Sequence, residues 1–225
     1  MFDVYFYEAF EEEAKVLKQY LPSHIRAGFI GKTIQEQQDE FPPAKLISIR
    51  TQSDLPEQWG GHLDAILTRS TGYDHIKNYQ QKVKEALKYG YLPLYCNRAV
   101  AEQAMMLWMV LLRKLPRQIK KFNDFNRDGL TGFECERKNL AVMGVGNIGS
   151  EVAKIGIGLG MKVVGVDIVK KHDFVHYESV EKALSGADVI VCAMNLTKEN
   201  MAYFSYSRLK AARKGAVFVN IARGE

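Results

Sequence analysis

The sequence predicts an α/β protein built on doubly wound parallel sheets, and two observations carry that prediction. The first is the unit from Asn139 to Asp167. The apolar strand Asn139-Leu140-Ala141-Val142-Met143 runs straight into Gly144-x-Gly146-x-x-Gly149, a helix-length segment follows, and the strand Met161 to Val166 ends in Asp167, about 20 residues beyond the glycines. The second is the alternation of strand-length and helix-length apolar segments on both sides of that unit, the pattern of βαβ connections. A chain of 225 residues has material for one large domain or two small ones.

Taken in order, residues 2–7 read as a short buried strand and Phe10 to Tyr20 as a helix with one apolar face. Two short apolar runs, Ile25 to Ile30 and Lys45 to Ile49, read as strands, with polar segments and Pro42-Pro43 between them. Leu63 to Ile76 reads as a strand, a turn of small residues at Ser70-Thr71-Gly72, and a helix start. Consecutive N–H groups in such a turn form a nest for an anion, here a carboxylate, although most strand-to-helix turns bind nothing. The helix is expected to run to about Lys88, followed by a strand at Leu92 to Cys96. Next comes a long helix from about Ala99 to Leu115, apolar on most faces between Met105 and Leu112, so burial on several sides is expected, in a core or a subunit interface. Pro116 and a basic segment lead to another helix and, through Gly129 and Gly132, to the glycine-rich unit. Beyond Asp167 the alternation continues with a helix near Val180 to Ser185, a strand at Asp188 to Ala193, a helix near Tyr206 to Arg213 and a strand at Gly215 to Ile221.

Each part of the glycine unit has a mechanical reason. Gly144 permits the tight turn, Gly146 lets a pyrophosphate approach the backbone, and Gly149 allows close packing of helix on strand. The helix starting near Asn147 offers N–H groups and the positive end of its dipole to phosphate. Asp167 would accept hydrogen bonds from ribose hydroxyls and repel a 2′-phosphate, which selects NAD over NADP. Lys170 and Lys171 fall past the strand end, on a solvated face.

Composition excludes several classes. A hydrophobic fraction of 47% and a charged fraction of 25% are those of a globular protein. The acidic first residues lack the basic region of a signal peptide, and the most apolar stretch, Ala104 to Leu112, is too short to span a bilayer. Cys96, Cys135 and Cys192 are scattered, which argues for a reducing, cytoplasmic setting without a disulfide or metal framework. The net charge of +5 is dispersed among acids, so nucleic-acid binding is not expected.

Several separated segments together resemble the D-isomer-specific 2-hydroxyacid dehydrogenase family, most nearly its D-lactate dehydrogenase-like branch. They are Arg69-Ser70-Thr71-Gly72-Tyr73-Asp74, Tyr95 with Ala99-Val100-Ala101-Glu102, the Gly144 to Asp167 unit, and Phe218 to Gly224, in family order over nearly the whole chain. The resemblance implies two Rossmann-like domains: a catalytic domain with a flavodoxin-like sheet over residues 1–98, and an NAD-binding domain over residues 99–225, with the substrate held in the cleft. Carried over by position, the backbone N–H groups of Ser70, Thr71 and Gly72 would hold the substrate carboxylate and Tyr95 would flank the substrate, although Tyr95 also fits a core aromatic. Asn147 and Ile148 would sit at the pyrophosphate; Met194, Asn195 and Asn200 would line the cofactor; Ile221 and Ala222 would lie near the nicotinamide. Arg223 matches the catalytic arginine, whose planar guanidinium can grip carboxylate and keto oxygen together; its bland alternative is a surface arginine at a strand end.

Three departures stand out. Gln103 replaces a common His, and Asn195 stands where Pro is common. The family's acid–base His and its Glu partner come after the arginine, and none of the five histidines matches that position. His75 reads as a helix-start residue. The expectation is therefore an NAD-dependent oxidoreductase of D-2-hydroxy acids and 2-keto acids, homodimeric, represented by a fragment that lacks the C-terminal part of the nucleotide domain. The alternative is a non-catalytic NAD-binding module or regulator of the same fold.

Overall fold

The computed structural model describes residues 2–124 and 126–222, and the chain forms two compact units, Met1–Tyr95 and Cys96–Glu225. The first unit carries five parallel strands: β1 (Val4–Phe6), β2 (Ala27–Phe29), β3 (Leu46–Ile49), β4 (Ala65–Thr68) and β5 (Lys88–Gly90). Their order, β2-β1-β3-β4-β5, is the flavodoxin-like arrangement. Between them lie α1 (Glu11–Tyr20), α2 (Ile34–Gln37) and α3 (Asp74–Lys82). The sheet is covered on both sides, as parallel sheets require. Ile47, Ile49 and Ile66 pack with Tyr7 and Trp59 on one face, while Val4, Phe6 and Ala9 meet Ala14 and Leu17 of α1 on the other.

At the carboxyl end of this sheet a buried guanidinium ties the strands together. Arg69 donates to both carboxylate oxygens of Glu13 (2.9 and 3.2 Å), to Ser48 Oγ (3.0 Å) and to the carbonyls of Tyr7 (2.8 Å) and Glu8 (3.1 Å). Breaking a buried pair by removing one partner strands the other charge, so Arg69→Met is expected to cost roughly 3 kcal/mol, the low end of the usual range because Glu13 keeps some solvent contact. Urea denaturation of the two proteins measures it; a loss under about 1 kcal/mol would make the cluster a surface-grade ion pair.

The second unit carries β6 (Asn139–Met143), β7 (Lys162–Val166), β8 (His176–Tyr177), β9 (Val189–Cys192) and β10 (Val217–Asn220), all parallel in the order β10-β9-β6-β7-β8. Relabelled from β6 this is 5-4-1-2-3, the dinucleotide-fold order, with its switch point between β6 and β9. The helices are α4 (Asn97–Leu112), α5 (Leu115–Lys120), α6 (Asn147–Gly158), α7 (Val180–Gly186) and α8 (Tyr206–Lys210). Central β6 divides its side chains by the strand period of two: Leu140 and Val142 enter a core with α4 and α6, and Ala141 and Met143 enter one with α7.

Three expectations change. The α3 helix stops at Lys82, because Val83 and Leu87 pack into the Trp59 cluster as extended chain. The fifth strand is Lys88–Gly90 rather than Leu92 to Cys96. In that later run Pro93 has no N–H to give a ladder, Leu92 N–H bonds the Ser70 carbonyl, and Tyr95 N–H turns back to Leu92 O. The long helix is cut at Lys114, which has φ +55°, and its buried residues Ala101, Ala104, Trp108 and Leu112 form a single face against α6; Met106 and Leu111 are exposed. The short strand β8 was not read from the sequence at all.

Candidate functional site

The loop leaving β6 is shaped by what a side chain would strike. Gly144 has φ +88°, and a Cβ there would lie 2.8 Å from the backbone of Met194. A Cβ on Gly149 would fall on the Gly144 carbonyl oxygen, so the start of α6 is pressed onto the loop. Gly146, by contrast, has nothing within 4 Å of its Cβ position, which leaves the backbone there open to a ligand. Gly146 is also the N-cap of the twelve-residue α6, and no side chain caps that end. Asn147 is exposed and Ile148 half-buried against the core.

Asp167, at the end of β7, is fastened to this loop. Its Oδ2 accepts from Val145 N–H at 2.6 Å and its Oδ1 from Val169 N–H at 3.0 Å. Each oxygen retains a lone-pair direction, so the carboxylate is positioned and still able to accept from hydroxyls. Beside it Ile168 is 101% exposed and Val169 61%. An apolar pair left bare next to a ribose-type acid suits the face of a base, and sequence reasoning missed it; the only signal was two apolar residues following the acid outside any periodic segment.

Across the switch point, past the ends of β9 and β10, lies a cavity of about 240 Å³. Met194, Asn195, Asn200 and Ala222 line it, with Cys192, Phe204 and Phe218 among its other walls. Asn200 also braces the loop: its Nδ2 donates to Asn195 O and its Oδ1 accepts from Thr197 N–H, both at 2.7 Å. Ile221 N–H extends the ladder to Cys192 O, and Ala222 N–H bonds Asn220 Oδ1. Burial raises the Cys192 thiol above its usual pKa, opposed by a backbone hydrogen bond at Met194. Arg223 lies outside the described residues.

In the first unit the β4–α3 turn brings Ser70, Thr71, Gly72 and Tyr95 together. Thr71 Oγ1 donates to Tyr95 O at 3.0 Å, and Ser70 Oγ donates to Gly72 O at 2.7 Å. The Tyr95 side chain is 44% exposed, so it is no core aromatic. Gln103 is exposed on α4. Among the described residues, no group of three or more His, Cys, Asp or Glu is placed to hold a metal ion, and no helix is long and apolar enough to cross a membrane.

Residues 105–225 match the family model of the D-isomer specific 2-hydroxyacid dehydrogenase NAD binding domain, more than half the chain. The chain belongs to the D-isomer specific 2-hydroxyacid dehydrogenase family. Among curated relatives it is 30% identical over 165 residues to a D-lactate dehydrogenase of Staphylococcus epidermidis and 29% identical over 165 residues to an aromatic 2-oxoacid reductase of Clostridium sporogenes. Each match covers 71% of this chain and 50% of the relative, so the chain spans about half the length of these curated relatives. A crystal structure of the Aquifex aeolicus D-lactate dehydrogenase complexed with NAD and lactic acid superposes with a TM-score of 0.82 at 28% identity, over 98% of this chain and 69% of that one. Within the dehydrogenase family's NAD-binding domain, then, the β6–α6–β7 loop and Asp167 supply a cradle whose open Gly146, uncapped helix and ordered acid fit the pyrophosphate and ribose of NAD.

Proposed function

We propose that this chain serves an NAD-dependent oxidoreductase that interconverts a D-2-hydroxy acid, D-lactate or a close analogue, with its 2-keto acid. The observation that carries the reading is Asp167 held under the glycine loop by Val145 N–H, with its outer lone pairs left for ribose hydroxyls. Gly144, Gly146, Asn147, Ile148 and Gly149 hold the pyrophosphate, and Met194, Asn195, Asn200, Ile221 and Ala222 flank the rest of the dinucleotide. When bound, NAD supplies the hydride acceptor. The N–H groups of the Ser70–Gly72 turn hold the substrate carboxylate, Tyr95 stands beside it, and Arg223 grips carboxylate and keto oxygen to orient the reacting carbon.

Replacing Asp167 with Ala removes charge-assisted hydrogen bonds and is expected to weaken NAD binding by about 1.5–3 kcal/mol, roughly ten- to a hundredfold, with little change for NADP. Calorimetric titration of both proteins with both nucleotides tests this; equal affinity of the parent chain for NAD and NADP would sink the assignment.

A homodimer is part of the reading. Leu111 on α4, Leu115 and Ile119 one turn apart on α5, and Phe122 just after it are 41–71% exposed, an apolar surface a second copy would cover. Ile119→Asp is expected to shift the mass measured by light scattering at micromolar concentration from dimer to monomer; a parent that is monomeric there contradicts the reading. The scattered placement of Cys96, Cys135 and Cys192 in the sequence, with no Cys-x-x-Cys pair, supports a cytoplasmic setting.

A further inference from the structure

Beneath the Ser70–Gly72 turn runs a chain of side-chain hydrogen bonds. His75 Nε2 lies 3.0 Å from Thr68 Oγ1, Thr68 Oγ1 lies 2.7 Å from Ser70 Oγ, and Ser70 Oγ donates to Gly72 O at 2.7 Å. Thr68 is wholly buried, so water does not complete its bonding. Counting protons then sets the direction. Each hydroxyl has one proton to donate. The Ser70 proton is used on Gly72 O, so Thr68 must donate to Ser70, and His75 Nε2 must carry the proton that Thr68 Oγ1 accepts. The opposite polarity, with a bare Nε2 accepting from Thr68, would draw the Ser70 proton back to Thr68 and release the Gly72 carbonyl.

We propose that His75 is a positioning residue that fixes the carboxylate-binding turn through this one-way relay, His75 Nε2–H to Thr68 to Ser70 to the Gly72 carbonyl. The proposal rests on the reading above that the turn holds a carboxylate. It gives His75 a task different from proton transfer to substrate: its ring reaches Thr68 under the turn and acts on the turn's backbone through two hydroxyls. The relay ties the Gly72 carbonyl to Ser70 Oγ and so restrains the backbone of the turn between them. It also explains why Thr68, at the end of β4, links Ser70 of the turn to a histidine from the first turn of α3.

The test uses the 225-residue chain with nitrogen-15-labelled histidine. Long-range proton–nitrogen correlation reads the tautomer of neutral His75, and the expected result is Nε2–H, changing to a mixture in Ser70→Ala; an Nδ1–H ring in the parent overturns the relay. In parallel, amide shifts of Thr71 and Gly72 report pyruvate binding in the presence of NADH. His75→Gln keeps an N–H donor near the Nε2 position and is expected to bind within about threefold of the parent, whereas His75→Leu is expected to weaken binding by about tenfold, the effect of one lost hydrogen bond. Equal loss in the two variants overturns the relay in favour of packing. Absence of pyruvate shifts in the parent, with the tautomer as expected, overturns the carboxylate reading and the positioning role together while the hydrogen-bond direction stands. Thermal melting of each variant separates these results from unfolding.

Discussion

Gly149→Ala is expected to abolish nucleotide binding and to destabilise the second unit by about 4–5 kcal/mol, in the exceptional range that marks a steric conflict with backbone. A methyl group at Gly149 would occupy the position of the Gly144 carbonyl oxygen, and neither atom belongs to a flexible side chain. Relief requires α6 to lift from the loop, which would pull its first-turn N–H groups away from the pyrophosphate position and disturb Val145, whose N–H holds Asp167. Gly146→Ala serves as the control. Its Cβ meets nothing in the protein, so stability should change by less than about 1 kcal/mol while binding falls, since the added methyl fills space the ligand needs. Denaturant melts and NAD titrations of the two variants check both halves; a Gly149→Ala protein of parental stability would mean that the loop is not packed as described.

Turnover is the second large effect. A polypeptide of residues 1–225 is expected to reduce pyruvate with NADH roughly 10²–10⁴-fold more slowly than a family member with a complete acid–base pair, the usual contribution of general acid catalysis. His24 and His62 are exposed on the first unit. His172 and His176 stand on the β7–β8 side of the second sheet, at the opposite edge from β10, and none of the five lines the cavity past β9 and β10. A form carrying the family's His and Glu segment after Glu225 is expected to recover the rate and to lose it again on Arg223→Ala. Parental turnover by residues 1–225 alone, at the rate of a complete enzyme, would show that the catalytic acid lies elsewhere in this chain.

The glycine unit was legible because its signals are local and mutually dependent: strand, turn, helix start and terminal acid must occur in register within thirty or so residues for the fold to bind a dinucleotide. The Asp167 to Val145 hydrogen bond adds a reason for the acid that spacing alone does not contain. The Leu92 to Cys96 run was misread because its apolar content resembles a strand, while pairing is decided by partners far away in sequence: Leu67 takes Gly90, and Pro93 cannot join a ladder. On α4 the small and aromatic residues Ala101, Ala104 and Trp108 choose the face buried within the unit, and Met106 and Leu111 lie outside it, so apolar content alone does not separate core from the subunit interface that the sequence also allows. Asn200 illustrates a different limit. Its place at the cavity follows from position, but the engagement of its amide with Thr197 and Asn195 depends on a loop conformation that composition does not encode. The Arg69 clasp joins residues 56 to 62 positions apart through Glu13, Glu8 and Tyr7, a separation beyond any periodicity argument.

Binding of NAD by the second unit across the β6–β9 switch point is tested most directly by an amide-resolved magnetic resonance titration of residues 1–225 with NAD. Saturable shifts are expected to concentrate at Gly144 to Gly149, at Asp167 to Val169 and at Met194 to Asn195, with much weaker ones for NADP. Saturable shifts confined to the first unit, or no saturable shifts at the glycine loop, would contradict it.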